Sequence, residues 1–204
     1  MTQTTTATVR LNATLSDFVA ASVGEDGAYE NVSEYLRDLI RRDMERKEQA
    51  AFERLKAELN HAFAAPESAY RPLTAADVVS RNAARSSNAV CFVPAVRVQE
   101  AASWRFDEIY RYTRDRWGEQ QAERYIAGLF DAFERIEAHR VASKPIPAAF
   151  GVEGFFFRYQ RHFVYWKRLS NGDVGIVTIL HERMHQIGRF SEDFFDAQPD
   201  AGRD

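Results

Sequence analysis

Residues 175–185, GIVTILHERMH, decide how the C-terminal part of this chain folds. The spelling H-E-x-x-H binds zinc when a helix places His181 and His185 on one face, with Glu182 as the base for a zinc-bound water. Here the β-branched apolar run GIVTIL precedes the motif, and Gly188 lies three residues after the second histidine. Such a pattern predicts a strand that ends at the motif. We therefore expect neither a metal ion nor another cofactor.

The sequence before this strand predicts a helical hairpin on a small, mostly antiparallel sheet. Residues 95–101 favour a strand, and two amphipathic helices follow, separated by Gly118. The buried helix faces are predicted to contain Phe106, Ile109, Tyr110, Thr113 and Trp117 in the first helix and Ala122, Tyr125, Ile126, Leu129, Phe133 and Ile136 in the second. Further strands are predicted at 155–160, 162–169 and 175–180, the last two joined by the Asn-Gly turn of SNGDV. This part of the chain is thus expected to be an α+β domain.

The composition limits the classes of protein to which the chain can belong. It has 204 residues, of which 45% are hydrophobic, enough for one domain or two small ones. A single cysteine excludes a disulfide framework. No stretch reaches the roughly 18 uninterrupted apolar residues of a membrane span, and the polar start MTQTTTATVR is not typical of a signal peptide. We therefore expect a soluble, cytoplasmic protein with no membrane partner.

The N-terminal segment is predicted to contain a short strand followed by helices. Residues 6–12 alternate as in a strand, with the polar side chains of Thr6, Thr8 and Arg10 on one face. A helix is expected over residues 15–23, and either Asn31 or Ser33 can cap the helix after it. One short strand and two short helices cannot bury their own apolar faces, so another surface must cover them.

This order of strand, helix and helix, with TVRL and SEYLRDLIRRD, resembles the ribbon-helix-helix antitoxins of the ParD type over roughly residues 5–65. The resemblance implies that two chains pair their strands into a ribbon that enters the major groove of operator DNA, so that a homodimer represses its own transcription. Thr6, Thr8 and Arg10 would face base edges, and amide groups near Asn31 and Ser33 would hold a phosphate. Alternatively, TVRL is a sheet edge in an ordinary α+β domain.

The C-terminal part carries DEIYRYTRDRWGEQQAERYIAGLFDAFERIEAH and then ILHERMH, and it closely resembles the ParE toxins of the RelE/ParE superfamily over about residues 95–190. In these toxins the residues IL-H-x-R-M end the last strand, in agreement with the strand predicted above. The H-E-x-x-H spelling then arises because Glu182 fills a variable position and His185 follows the methionine.

The same resemblance implies that the toxin acts by binding its target and catalyses no reaction. The mRNA-cleaving branch of the superfamily commonly has a His-Tyr pair near the end of the last strand, where this chain has Arg183 and Met184. Methionine cannot donate a proton, and a permanently charged arginine is a poor general acid. A ParE-like toxin would instead poison DNA gyrase by binding it, so the chain is not expected to be an enzyme. The candidate residues for toxin activity are Arg158, Arg161, Lys167, His181 and Arg183.

Together the two resemblances predict an antitoxin and a toxin on one chain. We expect a ribbon-helix-helix domain at 1–47, a helical toxin-neutralising segment at 48–80, a linker at 81–94, the toxin domain at 95–190 and a tail at 191–204. The neutralising segment would place apolar anchors on the toxin, namely Phe52, Leu55, Leu59, Phe63, Leu73, Val78 and Val79. Thr74 and Asp77 have capping-box spacing and predict a short helix there. Because fusion makes this contact intramolecular, the toxin is expected to be inactive in the intact chain.

Other functions fit the same sequence. The toxin part could be a RelE-like mRNA endonuclease held inactive by the antitoxin part, with a site built from Arg158, Tyr159, Arg161, His162 and Lys167. Alternatively, the chain is a DNA-binding regulator whose ParE-like part is a non-toxic interaction module. A zinc enzyme is a more distant alternative, which elemental analysis would test.

Overall fold

The computed structural model describes residues 6, 8–24, 27–83, 96–137 and 143–185. The chain divides into two compact units, Met1–Gln49 and Ala50–Asp204, and the division falls inside one helix, close to the domain boundary predicted at residue 47. The tail predicted at 191–204 and most of the predicted linker at 81–94 lie outside the described residues.

The first unit contains two helices, α1 (Ala13–Ser22) and the N-terminal part of α2 (Val32–Phe63). Each helix begins after an asparagine. The side-chain oxygen of Asn12 accepts a hydrogen bond from the Leu15 amide at 3.0 Å, and that of Asn31 accepts one from the Glu34 amide at 2.9 Å. These bonds satisfy amides that have no partner within the helix. Asn31 therefore caps α2, and Ser33 lies in its first turn.

The strand predicted at residues 6–12 is not formed by its described residues, 6 and 8–12. A strand needs a neighbouring strand to satisfy its backbone amides and carbonyls, and the described sheet pairs no strand with this segment. The helix after it begins two residues earlier than predicted, because Asn12 caps it. None of the residues of α1 is buried. The ribbon-helix-helix arrangement thus stays a prediction.

The second unit is an α+β arrangement. Its further helices are α3 (Ala75–Asn82), α4 (Glu100–Trp117) and α5 (Glu119–Glu137), and its strands are β1 (Arg71–Leu73), β2 (Val96–Val98), β3 (Lys144–Pro145), β4 (Phe155–Tyr159), β5 (His162–Arg168) and β6 (Val174–His181). The strands form one sheet in the order β1-β2-β6-β5-β4-β3. The pair β2–β6 is parallel and the other pairs are antiparallel, so the predicted mostly antiparallel sheet is confirmed.

The sheet has two buried faces. On one face, α3, α4 and α5 pack over residues such as Val164, Ile176 and Ile179. On the other, residues of α2 from Ala51 onward pack over Phe163 and Tyr165. Side chains alternate between faces along a strand, so the near-continuous apolar runs of β5 and β6 fit a sheet covered on both sides.

Two details differ from the sequence patterns. Trp117, predicted to face inward with Phe106 and Ile109, is 58% exposed and is the last residue of α4. The edge strands β1 and β3 have no periodic signal, because they are three and two residues long and each contains a proline. Proline has no amide N–H to donate and is tolerated at a sheet edge.

Within the described residues, no helix is both long and apolar enough to cross a membrane.

Candidate functional site

The HERMH stretch closes the last strand. β6 ends at His181, and residues Glu182–His185 form a short 3-10 turn rather than the α-helix that a zinc motif needs. His185 is fully buried. Its Nδ1 lies 3.3 Å from the carbonyl oxygen of His181, and its Nε2 lies 2.5 Å from the hydroxyl of Tyr165. Since a carbonyl only accepts, Nδ1 donates to it, and Nε2 of the neutral ring accepts from the tyrosine.

Burial lowers the pKa of His185 to about 3, so this ring is uncharged at neutral pH. His185 therefore has a packing role, with its ring centroid 4.1 Å from that of Phe163. Among the described residues there is no group of three or more His, Cys, Asp or Glu side chains arranged to hold a metal ion.

Glu182, predicted to be a variable position, has a specific role. Its carboxylate accepts hydrogen bonds from Arg158 at 2.8 Å and from Arg161 at 2.9 Å, and its amide donates to the carbonyl of Arg161 at 2.8 Å. The Arg158 side chain is 20% exposed, whereas that of Arg161 is 74% exposed. Arg158 is therefore mainly structural, and Arg161 is available at the surface.

The candidate toxin residues do not form one cluster. Arg161, His181 and Arg183 line a common pocket of about 770 Å3, whereas Arg158 and Lys167 are not part of its lining. The ammonium group of Lys167 lies 5.6 Å from the ring centre of Tyr70, in the N-terminal half of the chain. The pocket is bounded by α4, the start of α5, the turn before β5 and the residues that follow β6.

Two histidines and a tyrosine form the inner wall of this pocket. The hydroxyl of Tyr125 lies 2.7 Å from Nδ1 of His162, and the rings of His162 and His181 meet edge to face with centroids 5.3 Å apart. Burial, with a smaller effect of His181, lowers the pKa of His162 to about 4. Burial also lowers the pKa of His181, which accepts at Nδ1 from the Arg183 amide at 3.2 Å. Both imidazoles are therefore neutral at pH 7 and act as hydrogen-bonding groups.

Helix α4 forms the outer wall with residues that were not among the predicted candidates for toxin activity. Arg105, Tyr112 and Arg116 line the pocket together with Trp117. Tyr112 and Trp117 are 63% and 58% exposed and meet edge to face with centroids 5.7 Å apart. The helical spacing of Arg105, Tyr112 and Arg116 was a usable signal, because positions seven and eleven residues after Arg105 return to the same helix face. Trp117 has no such spacing with Arg105.

The predicted interface residues lie in the core of the second unit. Leu55, Leu59 and Val78 are fully buried, and Phe52 and Leu73 are nearly so. Phe63 and Val79 are partly buried and pack against the same clusters. All seven residues therefore pack in the apolar clusters on the two faces of the sheet.

The predicted DNA-contacting residues are all at the surface. Thr6, Thr8, Arg10, Asn31 and Ser33 are exposed. The side chain of Asn31 already accepts from the Glu34 amide, and the carboxylate of Glu34 accepts from the Glu30 amide at 2.8 Å. An acid in the first turn of α2 makes this end less favourable for a phosphate, so Arg10 and the threonines remain the better candidates for DNA contact.

Comparison with known proteins identifies the C-terminal part of the second unit. The family described as "ParE toxin of type II toxin-antitoxin system, parDE" matches residues 96–186. A protein named Toxin ParE from Escherichia coli is 33% identical over 84 residues, which cover 41% of this chain and 81% of that protein. A protein named Toxin ParE1 from Mycobacterium tuberculosis is 30% identical over 88 residues, which cover 41% of this chain and 85% of that protein. The helical hairpin, the strands β2 to β6 and the end of the last strand all lie in the matched segment, and the chain belongs to the ParE toxin family of type II toxin-antitoxin systems.

Proposed function

We propose that this chain joins a ParE-type toxin to the antitoxin segment that neutralises it, and that the intact protein is non-toxic. The observation that carries this proposal is the position of residues 50–82, which lie before the family match yet contribute to both faces and one edge of the sheet of the second unit. A segment that neutralises a toxin by covering it would make such contacts.

On one sheet face, helix α2 contributes its apolar stripe. Leu55 and Leu59 are fully buried there, and the ring of Phe52 lies 5.0 Å from that of Phe150. The side-chain amide of Asn60 donates to the carbonyl of Phe150 at 2.8 Å. The same cluster includes Met184, next to the candidate toxin residue Arg183. This helix therefore covers the residues around the end of the last strand.

At the sheet edge, β1 pairs antiparallel with β2, with Arg71 opposite Val98. This is strand addition, in which backbone hydrogen bonds supply much of the affinity. Beyond it, the carboxylate of Glu67 accepts from the amide of Ser170 at 2.9 Å and from its hydroxyl at 2.6 Å.

Helix α3 then reaches the opposite face. Its capping box is formed as predicted, since Thr74 accepts from the Asp77 amide at 3.1 Å and Asp77 accepts from the Thr74 amide at 2.9 Å. Val78 is fully buried against the cluster that contains α4 and α5, and Arg81 pairs with Asp107 at 2.6 Å. The segment thus holds the domain on two sides and at one edge.

Release of the neutralising helix tests the proposal. Leu55→Asp with Leu59→Asp in the intact chain would bury two unpaired carboxylates if α2 stayed in place, so we expect the helix to leave the sheet and growth to arrest. Ala57 lies on the exposed side of the same helix, so the control Ala57→Asp should be harmless.

The fragment of residues 90–204 expressed alone should also arrest growth. Harmless expression of that fragment in folded form would contradict the toxin assignment.

The target is proposed from family resemblance, which points to DNA gyrase. We expect the 90–204 fragment to inhibit supercoiling by gyrase and the intact chain not to do so. Cleaved transcripts in place of gyrase inhibition would favour the mRNA endonuclease instead. A normal growth phenotype with operator binding by the intact chain would favour a regulator with a non-toxic module.

The N-terminal unit is proposed to bind operator DNA as a homodimer. Support comes from its uncovered apolar side chains: Leu15, Phe18, Ile40 and Met44 are each 50% or more exposed. Such a face is typically covered by another protein surface. A second copy would also supply the neighbouring strand that residues 6–12 need, with Thr6, Thr8 and Arg10 on the DNA-facing side.

A further inference from the structure

The pocket beside α4 has an excess of positive charge. Arg105, Arg116, Arg161 and Arg183 line it together with a single acid, Glu108. Two further acids contact lining arginines from outside. Glu58 lies 3.4 Å from Arg105, and Glu182 is shared between Arg161 and Arg158. With these neighbours included, five arginines face three carboxylates. A planar guanidinium is well suited to bidentate contact with phosphate or carboxylate groups.

Flat aromatic surface lies beside this charge. Tyr112 and Trp117 are both more than half exposed, and the guanidinium of Arg116 lies 5.8 Å from the Trp117 ring centre. Large aromatic side chains are usually buried at least in part, so two exposed rings at the rim of a basic pocket indicate a binding surface. In proteins that bind single-stranded nucleic acid, such aromatic and arginine side chains commonly stack on planar bases.

The inner wall supplies directional hydrogen bonds instead of further charge. Nδ1 of His181 accepts from the Arg183 amide, so Nε2 of its neutral ring carries the proton and is a donor. Gln121 and Gln160, which also line the pocket, have uncharged amide side chains and add no carboxylate. The pocket volume of about 770 Å3 lies within the roughly 300–1,000 Å3 of small-ligand sites.

We propose that this pocket binds a nucleotide unit, with its phosphate on Arg116, Arg161 and Arg183 and its base stacked on Trp117 and Tyr112. The unit can be a free nucleotide or part of a single strand, since both present the same phosphate and base. Binding at this site is separate from the proposed operator contact, which involves the N-terminal unit, and it does not depend on whether the chain is toxic.

The test is a set of titrations on the intact chain. Adenosine monophosphate, adenosine and inorganic phosphate distinguish combined recognition of base and phosphate from recognition of either part. Ten-residue single strands of oligo(dA) and oligo(A) show whether a strand is preferred over the free nucleotide and whether RNA differs from DNA. We expect at least one phosphate-and-base probe to bind saturably and to weaken with rising salt, as phosphate contacts do.

Matched variants locate the site. Trp117→Ala and Arg183→Ala should each weaken binding about tenfold. Trp104→Ala and Arg111→Ala, which replace exposed residues of α4 outside the pocket, should leave it unchanged. All four variants must retain the circular dichroism spectrum of the parent. Saturable binding by none of the probes would overturn the proposal, and so would binding that both pairs of variants affect equally, whatever the outcome of the growth assays.

Discussion

At the residue scale, the two histidines of HERMH have different structural roles. His181 ends β6 at the pocket, while His185 turns into the core and bonds Tyr165. Burial lowers the pKa of His185 to about 3, well below its ordinary value near 6.5. The ring contributes to stability only while it is neutral in the fold.

This burial predicts an acid-sensitive fold. Above the unfolded pKa both states are neutral, whereas below it only the unfolded state takes up the proton. Stability should therefore fall as the pH drops from about 6.5 toward 3, by up to about 1.4 kcal/mol per pH unit for this residue. His185→Gln cannot take up this proton and should reduce the slope of unfolding free energy against pH in urea titrations. Identical slopes for the variant and the parent would contradict this assignment, whatever the loss of overall stability.

At the scale of elements, helix α2 combines two environments in one continuous run of 32 residues. Its later part is buried against the sheet through Leu55 and Leu59, while its earlier part exposes Leu39 and Ile40. Helical spacing of apolar residues was visible in both parts of the sequence. Periodicity shows that a face must be covered, but it does not show whether the same chain or another one covers it.

The exposed part of α2 leads to a prediction about oligomeric state. Because burial of one such side chain contributes about 1.5–3 kcal/mol, we expect the intact chain to sediment as a dimer. Phe18→Asp with Ile40→Asp should shift it to a monomer and abolish operator binding. Trp104→Asp, which replaces an equally exposed residue on α4, should leave the dimer intact. A parent protein that sediments as a monomer at all concentrations would refute the proposed ribbon.

At the scale of the whole molecule, residues 50–82 and the family-matched segment 96–186 form one compact unit. The sheet continues across the two through β1 and β2, and both sheet faces receive side chains from the earlier segment. Covalent linkage raises the effective concentration of such a contact, but the contact itself consists of buried apolar surface and backbone pairing.

A nicked chain would show how strong this contact is. A protease site inserted in the predicted linker, within residues 84–94, allows the chain to be cut after folding, and we expect the two fragments to stay together in size-exclusion chromatography. Cleavage of the Leu55→Asp, Leu59→Asp variant should separate the two fragments. Replacing one buried leucine by alanine already costs about 2–5 kcal/mol of stability, and a buried carboxylate costs more. Separation of the fragments of the unmodified chain would show that the linkage, rather than the contact, holds the unit together.

The sequence by itself determined the features that depend on local pattern. The spacing in α4 and α5, the apolar runs of β5 and β6, the Thr74 cap and the strand end at His181 all follow from neighbours within a few residues. The resemblance to ParE toxins rests on the same stretches.

Only the tertiary structure decided which distant residues meet. It pairs Glu182 with two arginines, adds the short strand β1 to a sheet edge, and turns Trp117 outward. It also joins Arg116 of α4 to Arg183 after β6 in one pocket. These contacts cross long stretches of chain and leave no periodic signal, because they are set by how the helices pack on the sheet rather than by the order of residues within any one element.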